Sequence, residues 1–285
     1  MSVLLKLFYL ILLCLLVSSC HDATNNYDKN INLDTFSDLR DEKYSLDIVD
    51  IREHISKIAS EDGVALPMDG FVNKYYKEQQ PFLWINRYGI YDRADTLLSL
   101  LKGIGYYGLN KDAFRVSKIE KDLYLARSLD IGSSNDNLNR ILARLEYNLT
   151  KAFLRYSAGQ YFGFVNPDYL YNSLEEYQVD SLTTRFRQLC DLKVLRPDKK
   201  FYFRAISHIL NDSVAEFWHT TLPKGRLVGK LLKELDNPNL TKSERLRILC
   251  NIERCRWRLR GMPNTDLHNK YIVVNIPSFE LYAFD

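Results

Sequence analysis

The stretch Leu138-Asn-Arg-Ile-Leu-Ala-Arg-Leu-Glu-Tyr-Asn-Leu-Thr-Lys-Ala-Phe-Leu-Arg-Tyr156 sets Leu138, Ile141, Leu142, Leu145, Leu149, Ala152, Phe153 and Tyr156 at alternating steps of three and four. That is the period of a helix with one continuous apolar face, and the spacing predicts a helix over about 137–158 that stops at Gly159. No other stretch has as long a stripe, so this helix is read as the core around which the rest packs. Next comes Gly159-Gln-Tyr-Phe-Gly-Phe-Val-Asn-Pro167, with two glycines and three aromatics in a connection. Its rings can pack back over the helix ends as a turn, and a groove for a glycan or peptide is the second reading.

Upstream, Ile48, Ile51, Ile55, Ile58 and Ala59 are spaced as an amphipathic helix that ends at Glu61-Asp-Gly63. Phe71, Tyr75 and Tyr76 suggest a short second helix stopped by Pro81. Asp92 can cap a third, at 93–102, whose Ala94, Leu97, Leu98 and Leu101 form a stripe before Gly103 and Gly105. Downstream, the helical period continues through Leu182, Phe186 and Leu189, then Ala205, Ile206, Ile209, Leu210, Phe217 and Trp218, then Leu227, Val228, Leu231, Leu232 and Leu235. Pro167, Pro197, Pro223 and Pro238 separate these segments. Only the end reads as strand: Tyr271-Ile-Val-Val-Asn-Ile276, a turn at Pro277-Ser278, then Glu280-Leu-Tyr-Ala-Phe284. The fold expected is mainly α, a multi-helix domain over 47–262 with a short C-terminal β-hairpin in 268–285.

Before that hairpin, Thr241 and Glu244 form a capping box, so a helix should start there and run through Asn251-Ile-Glu-Arg-Cys-Arg-Trp-Arg258. On it Leu246, Leu249, Cys250 and Trp257 share one face, Ile248, Ile252 and Cys255 a second, and Asn251, Arg254 and Arg258 a third. Such a helix is expected to be buried on more than one side, with Asn251, Arg254, Trp257 and Arg258 in a structural hydrogen-bond network. A buried guanidinium left without a partner costs roughly 3–5 kcal/mol. Ligand binding is the alternative for these residues.

These segments together resemble the large L,D-transpeptidases of Gram-negative bacteria. Asn251 to Arg258 with Tyr271-Ile-Val-Val-Asn-Ile-Pro-Ser-Phe-Glu-Leu281 looks like the junction between the scaffold and catalytic domains of those proteins. Leu149-Thr-Lys-Ala-Phe153, Gly159 to Pro167 and Gly108-Leu-Asn110 are similar to the scaffold domain itself. The likeness covers roughly residues 70–285, and its specificity lies in the order and spacing of the segments. In that family an activated cysteine attacks a peptide carbonyl of the peptidoglycan stem, releases the terminal D-alanine and passes the acyl group to an amine of a second stem. The resemblance places the family's His and its Ser-His-Gly-Cys-x-Arg motif beyond residue 285. It therefore implies an all-α scaffold over 47–262 and the start of a catalytic β domain over 268–285, truncated before the catalytic cysteine and inactive alone. A non-catalytic envelope module that binds peptidoglycan or a protein is the alternative.

The first twenty residues decide the compartment. Lys6, an apolar run to Val17 and then Ser18-Ser19-Cys20 read as an export signal over 1–19. The run is about eleven residues, whereas a helix needs roughly 20 to span a bilayer. Val17-Ser18-Ser19-Cys20 resembles a bacterial lipobox, which implies lipid on Cys20 and a membrane contact through that lipid. From Cys20 to Leu46 the chain is rich in Asn, Asp, Thr and Ser, as suits a flexible tether over 20–46. The expected location is the cell envelope, lipid-anchored and facing the periplasm, with peptidoglycan as the implied partner.

Charge and chemistry narrow the function further. A net charge of +3 on 285 residues points to no strongly acidic partner. Six arginines between Arg245 and Arg260 make a basic run, yet export argues against nucleic acid. Cys190, Cys250 and Cys255 remain once Cys14 leaves with the signal and Cys20 carries lipid, and they read as small buried hydrophobes rather than thiolates. The five histidines, including His268, are scattered, so no metal site, cofactor or catalytic constellation is expected. Gly103-x-Gly105-x-x-Gly108 follows a helix where a dinucleotide fingerprint follows a strand, and Glu175 and Glu176 diverge as neighbours.

Overall fold

The computed structural model describes residues 44–131, 136–258, 270–275 and 279–284. The expected export signal, Cys20, most of the tether and His268 lie outside the described residues. The chain divides into two compact units, one taking the residues up to Ile104 with Asn110–Ala152, the other Gly105–Leu109 with the residues from Phe153 on. Ten α-helices and three two-stranded antiparallel pairs make up the regular structure among the described residues. The fold is mainly α. Two of the strand pairs fall within 47–262, which the sequence reads as entirely helical.

In the first unit α1, Ile48–Asp62, begins where the Asp47 carboxylate accepts the Val49 N–H at 2.7 Å and ends at Gly63, whose φ of 66° suits glycine. Ile51 and Ile55 are buried, but Ile48 faces solvent. In α2, Pro67–Lys77, a proline opens the first turn and Asp69 reaches back to the N–H groups of Ala65 and Leu66. A tight hairpin of β1, Ile85–Asn86, and β2, Gly89–Ile90, precedes α3, Arg93–Lys102. The bounds of α3 are those the spacing predicts, although Asp92 makes no side-chain cap there. No expectation from the spacing covers α4, Val116–Ser128, which buries Ile119, Leu123 and Ala126.

The long helix α5, Leu138–Phe162, contributes residues 138–152 to this unit. Between Leu138 and Ala152 only Arg140 and Arg144 are not buried, so the apolar stripe understates how enclosed the helix is. Its polar groups have partners brought to them. The Glu146 carboxylate accepts from the N–H groups of Leu83 and Trp84, at 2.5 and 2.9 Å, and from the Tyr76 hydroxyl at 2.9 Å. Lys151 lies 2.5 Å from Asp62 and 3.2 Å from Asp69, while Arg115 pairs with Asp62 and donates to Asn148 at 2.8 Å. Arg144 bridges Asp122 and Asp136.

The second unit starts with residues 153–162 of α5, past the expected stop at Gly159. A Cβ on Gly159 would lie 2.0 Å from the Phe164 ring, so this glycine makes room for a returning side chain inside the helix. Gly163, at φ +93°, ends the helix instead. After α6, Pro167–Tyr171, comes a hairpin of β3, Glu176–Gln178, and β4, Thr184–Phe186. Leu182 was expected on a helix and is 95% exposed in the hairpin turn, where Asp180 accepts the N–H groups of Leu182 and Thr183, both at 2.8 Å. Three apolar residues at helical spacing are too few to outweigh an Asp-Ser turn. Next, α7, Lys199–Leu210, and α8, Val214–Thr221, supply Phe201, Phe217 and Trp218 to a ring cluster in which Trp218 stacks on Tyr156 at 3.3 Å. Then α9, Arg226–Leu235, packs against α10, Lys242–Arg256, around Leu235, Ile248 and Ile252. The hairpin of β5, Tyr271–Asn275, and β6, Glu280–Phe284, closes the described chain.

Candidate functional site

The expected capping box starts α10, with the Thr241 N–H on Glu244 at 2.9 Å and the Glu244 N–H on the Thr241 hydroxyl at 3.3 Å. The phase of the helix is not the expected one. Ile248, Ile252 and Arg256 form the buried line at i, i+4 and i+8, while Leu246 and Cys250 are exposed and Leu249 and Trp257 only half-buried.

The polar residues singled out from the sequence stand as follows. Arg254 is exposed and donates to the Tyr171 hydroxyl at 3.1 Å, with a longer contact of 3.5 Å to the side-chain amide oxygen of Asn251. Asn251 is half-buried. Trp257 lies one residue past the helix, edge-on to Tyr171 with ring centroids 6.2 Å apart. Arg258 is exposed, donates to the Tyr161 carbonyl at 2.7 Å and lies over the Tyr161 ring at 3.8 Å. The burial expected for Arg254 and Arg258 is thus corrected: Arg254 faces away from the apolar line of the helix, and Arg258 lies past the helix end. The buried guanidinium is Arg256, which donates to Gln160 at 2.8 Å and to Glu253 at 3.0 Å. The signal for it was the Glu253-x-x-Arg256 spacing, which lets a helix carry its own counter-ion inward.

These contacts bring two separately read segments together, the aromatic connection 159–167 and the end of α10. Glu253, already paired with Arg256, accepts the Val165 N–H at 2.8 Å. A Cβ on Gly163 would lie 2.7 Å from the Trp257 ring, so only glycine fits both the backbone angle and the approach. The expected turn forms only from Gly163 on, since Gly159–Phe162 continues the helix; there Phe164 packs back, contacting Tyr156 with centroids 6.4 Å apart, and Arg256 lies 5.4 Å from the Phe164 ring centre.

The turn also forms one wall of a cleft of about 370 Å³, lined by Asn166, Asp168, Gln188, Asp191, Lys193 and Arg196. Its far wall is pinned by Asn172, which accepts the N–H groups of Leu189 and Cys190 at 2.7 and 2.9 Å and donates to Asp168 at 2.9 Å. Carboxylates, cations and amides face the same space. That suits a polar ligand carrying both charges, held by hydrogen bonds.

Reactive groups are sparse here. Cys250 is exposed and Cys190 and Cys255 are half-buried, so none is the enclosed small hydrophobe expected. Burial pushes the Cys255 thiol up, away from thiolate, despite the neighbouring Arg256. His208 bonds Ser213 at 2.8 Å, and His54 lies against Asp50, also at 2.8 Å. No three His, Cys, Asp or Glu side chains among the described residues converge as metal ligands. Among the described residues no cysteine has a base within hydrogen-bond reach.

A family model described as a Scaffold domain, one that occurs in L,D-transpeptidases, matches residues 70–204. The match takes in Gly108-Leu-Asn110, Leu149 to Phe153 and Gly159 to Pro167, and leaves α9, α10 and the last hairpin outside. Neither a curated protein nor a solved structure matches the chain.

Proposed function

We propose that the chain is the scaffold portion of an exported, lipid-anchored protein of the L,D-transpeptidase type, which holds peptidoglycan and braces the start of a catalytic sheet. The observation that carries this reading is the Scaffold domain match over 70–204. It is supported by the way the matched turn 159–167 locks onto the end of α10, the element that leads toward β5. In this reading Cys20 carries the lipid, the protein faces the periplasm, and the cleft beside Asn166 and Asp168 takes a stretch of peptidoglycan stem peptide, which bears both carboxylates and amines. No described helix is long and apolar enough to cross a membrane.

Acyl transfer needs a thiolate, a base and an oxyanion site within hydrogen-bond reach of one another, and the described cysteines stand apart from any such set. The proposed contribution of this portion is support and binding, with no chemistry of its own. The alternative, a non-catalytic module for peptidoglycan or a protein, is favoured by the same cleft.

One experiment addresses both readings. Residues 21–285 should co-sediment with purified sacculi, and the double change Asp168→Lys with Arg196→Glu should weaken that binding. The same preparation should release no D-alanine from a tetrapeptide-bearing muropeptide and form no adduct with a carbapenem. Absence of sacculus binding removes peptidoglycan as the partner, and a cysteine-dependent adduct overturns the supporting role. Incorporation of labelled fatty acid into the whole chain but not into Cys20→Ala tests the anchor.

A further inference from the structure

We propose that the outward face of α9 is a docking surface for an anionic phospholipid bilayer. The inference is independent of the scaffold reading and uses none of the cleft residues. Between Lys224 and Arg258 ten lysines and arginines stand against four acids, a net +6 in a chain whose whole net charge is +3. All four acids have hydrogen-bond partners, though Glu234, on α9 itself, and Asp236 and Glu244 are exposed and keep their charge within that net +6. Asp236 accepts from the Tyr106 hydroxyl, Glu234 from Asn237, Glu244 closes the capping box, and Glu253 holds Arg256 and Val165.

The cations of α9 are not engaged in this way. Arg226, Lys230 and Lys233 fall at i, i+4 and i+7, so they form one stripe, and Lys224 precedes them. All four are exposed and make no ion pair with a carboxylate among the described residues. The opposite side of the helix is fixed by Val228 and Leu235, with Leu231 and Leu232 packed against Ile248 and Ile252, so the stripe is held outward.

A stripe of cations on a helix is usually a solvated face, and what separates this one is Leu227. It borders the stripe, stays 60% exposed, and lies three residues from both Lys224 and Lys230. A leucine gains nothing from a hydrated polyanion but gains burial at the boundary between headgroups and acyl chains, while lysines and arginines meet phosphates. Charge complementarity and the exposed apolar residue therefore select a bilayer over an acidic wall polymer.

The test is flotation of residues 21–285, free of lipid, with vesicles of phosphatidylcholine alone or with about one-third phosphatidylglycerol, near the composition at which basic helices bind. Binding is expected to the anionic vesicles only, and to fall as salt is raised. Arg226→Glu with Lys230→Glu and Lys233→Glu should lower partitioning by about a hundredfold, and Leu227→Ser severalfold at unchanged charge. The corresponding glutamine variants give an intermediate loss and serve if charge reversal disturbs folding, with circular dichroism as the check. Equal binding to neutral vesicles, an unchanged triple variant, or capture by a purified acidic wall polymer but not by vesicles would overturn the proposal.

Discussion

Between Leu138 and Ala152, α5 buries Asn139, Glu146, Asn148, Thr150 and Lys151 along with its leucines, whereas α10 buries only Ile248, Ile252 and one charged side chain, Arg256. Both stretches mix charged and apolar residues at helical spacing. The difference lies in what the neighbouring segments supply. Around α5, Asp62, Asp69, Tyr76 and the N–H groups of Leu83 and Trp84 come from other elements to meet Lys151 and Glu146, Asp50 meets Asn139, and Arg115 meets Asn148. Around α10 the only buried cation is the one that brings Glu253 on its own helix and finds Gln160 opposite. A charge enters the interior where its partner is already built, because removing it from water costs several kcal/mol otherwise.

The comparison breaks most readily at Lys151. Lys151→Ala takes the lysine from Asp69, which is fully buried, and leaves Asp62 with Arg115 alone, and an expected loss of about 3–5 kcal/mol should be seen in urea unfolding. A loss under about 1 kcal/mol would show the network to be as solvated as a surface pair.

Glu146 sharpens the comparison through pH. Burial is the dominant influence and pushes its carboxyl up from 4.5 to about 7, against the donors from Leu83, Trp84 and Tyr76. The folded state therefore favours the proton. The resulting stabilisation is fully present below pH 4.5 and is lost as pH rises through 7, by about 3 kcal/mol in all. Burial raises the Asp62 carboxyl, but the hydrogen bonds and charges of Lys151 and Arg115 together outweigh it and leave it shifted down, so its contribution is lost only as pH falls below 3.8, outside that window. Unfolding measured between pH 4.5 and 8 should show this slope in the wild type and not in Glu146→Gln; a slope that survives the substitution would assign it to another group.

The smallest effects belong to α10. Arg256→Ala should cost about 2 kcal/mol, because Gln160 and part of Glu253 are left buried without a donor. Arg254→Ala, on the exposed face, should cost no more than about 0.5 kcal/mol. Equal losses from the two would mean that the helix is buried on both sides.

How far the fold was legible follows the strength of local signals. The start of α10 was readable because a capping box satisfies backbone donors within four residues, and α3 because a full stripe is bounded by Gly103. The short pairs β1–β2 and β3–β4 were not, since strands of two or three residues carry almost no period. Gly159 misled because a glycine that ends a helix and one that admits a ring look alike in sequence, and the ring of Phe164 arrives from five residues away.

The candidate site was legible only in its parts. The aromatic connection and the α10 end were each marked by composition, but which arginine turned inward was not, because Arg254, Arg256 and Arg258 are chemically identical and differ only in the direction the helix points them and in where the helix ends. By itself the sequence determined a mainly helical chain and the extent of its longest helix to within a few residues. Tertiary structure alone decided that Gly163 admits Trp257, that Glu253 ties Arg256 to the turn, and that Asn172 closes a cleft beside it. The physical reason is that helical period and caps are properties of neighbours along the chain, whereas desolvation is set by whichever residues fold back to meet a side chain.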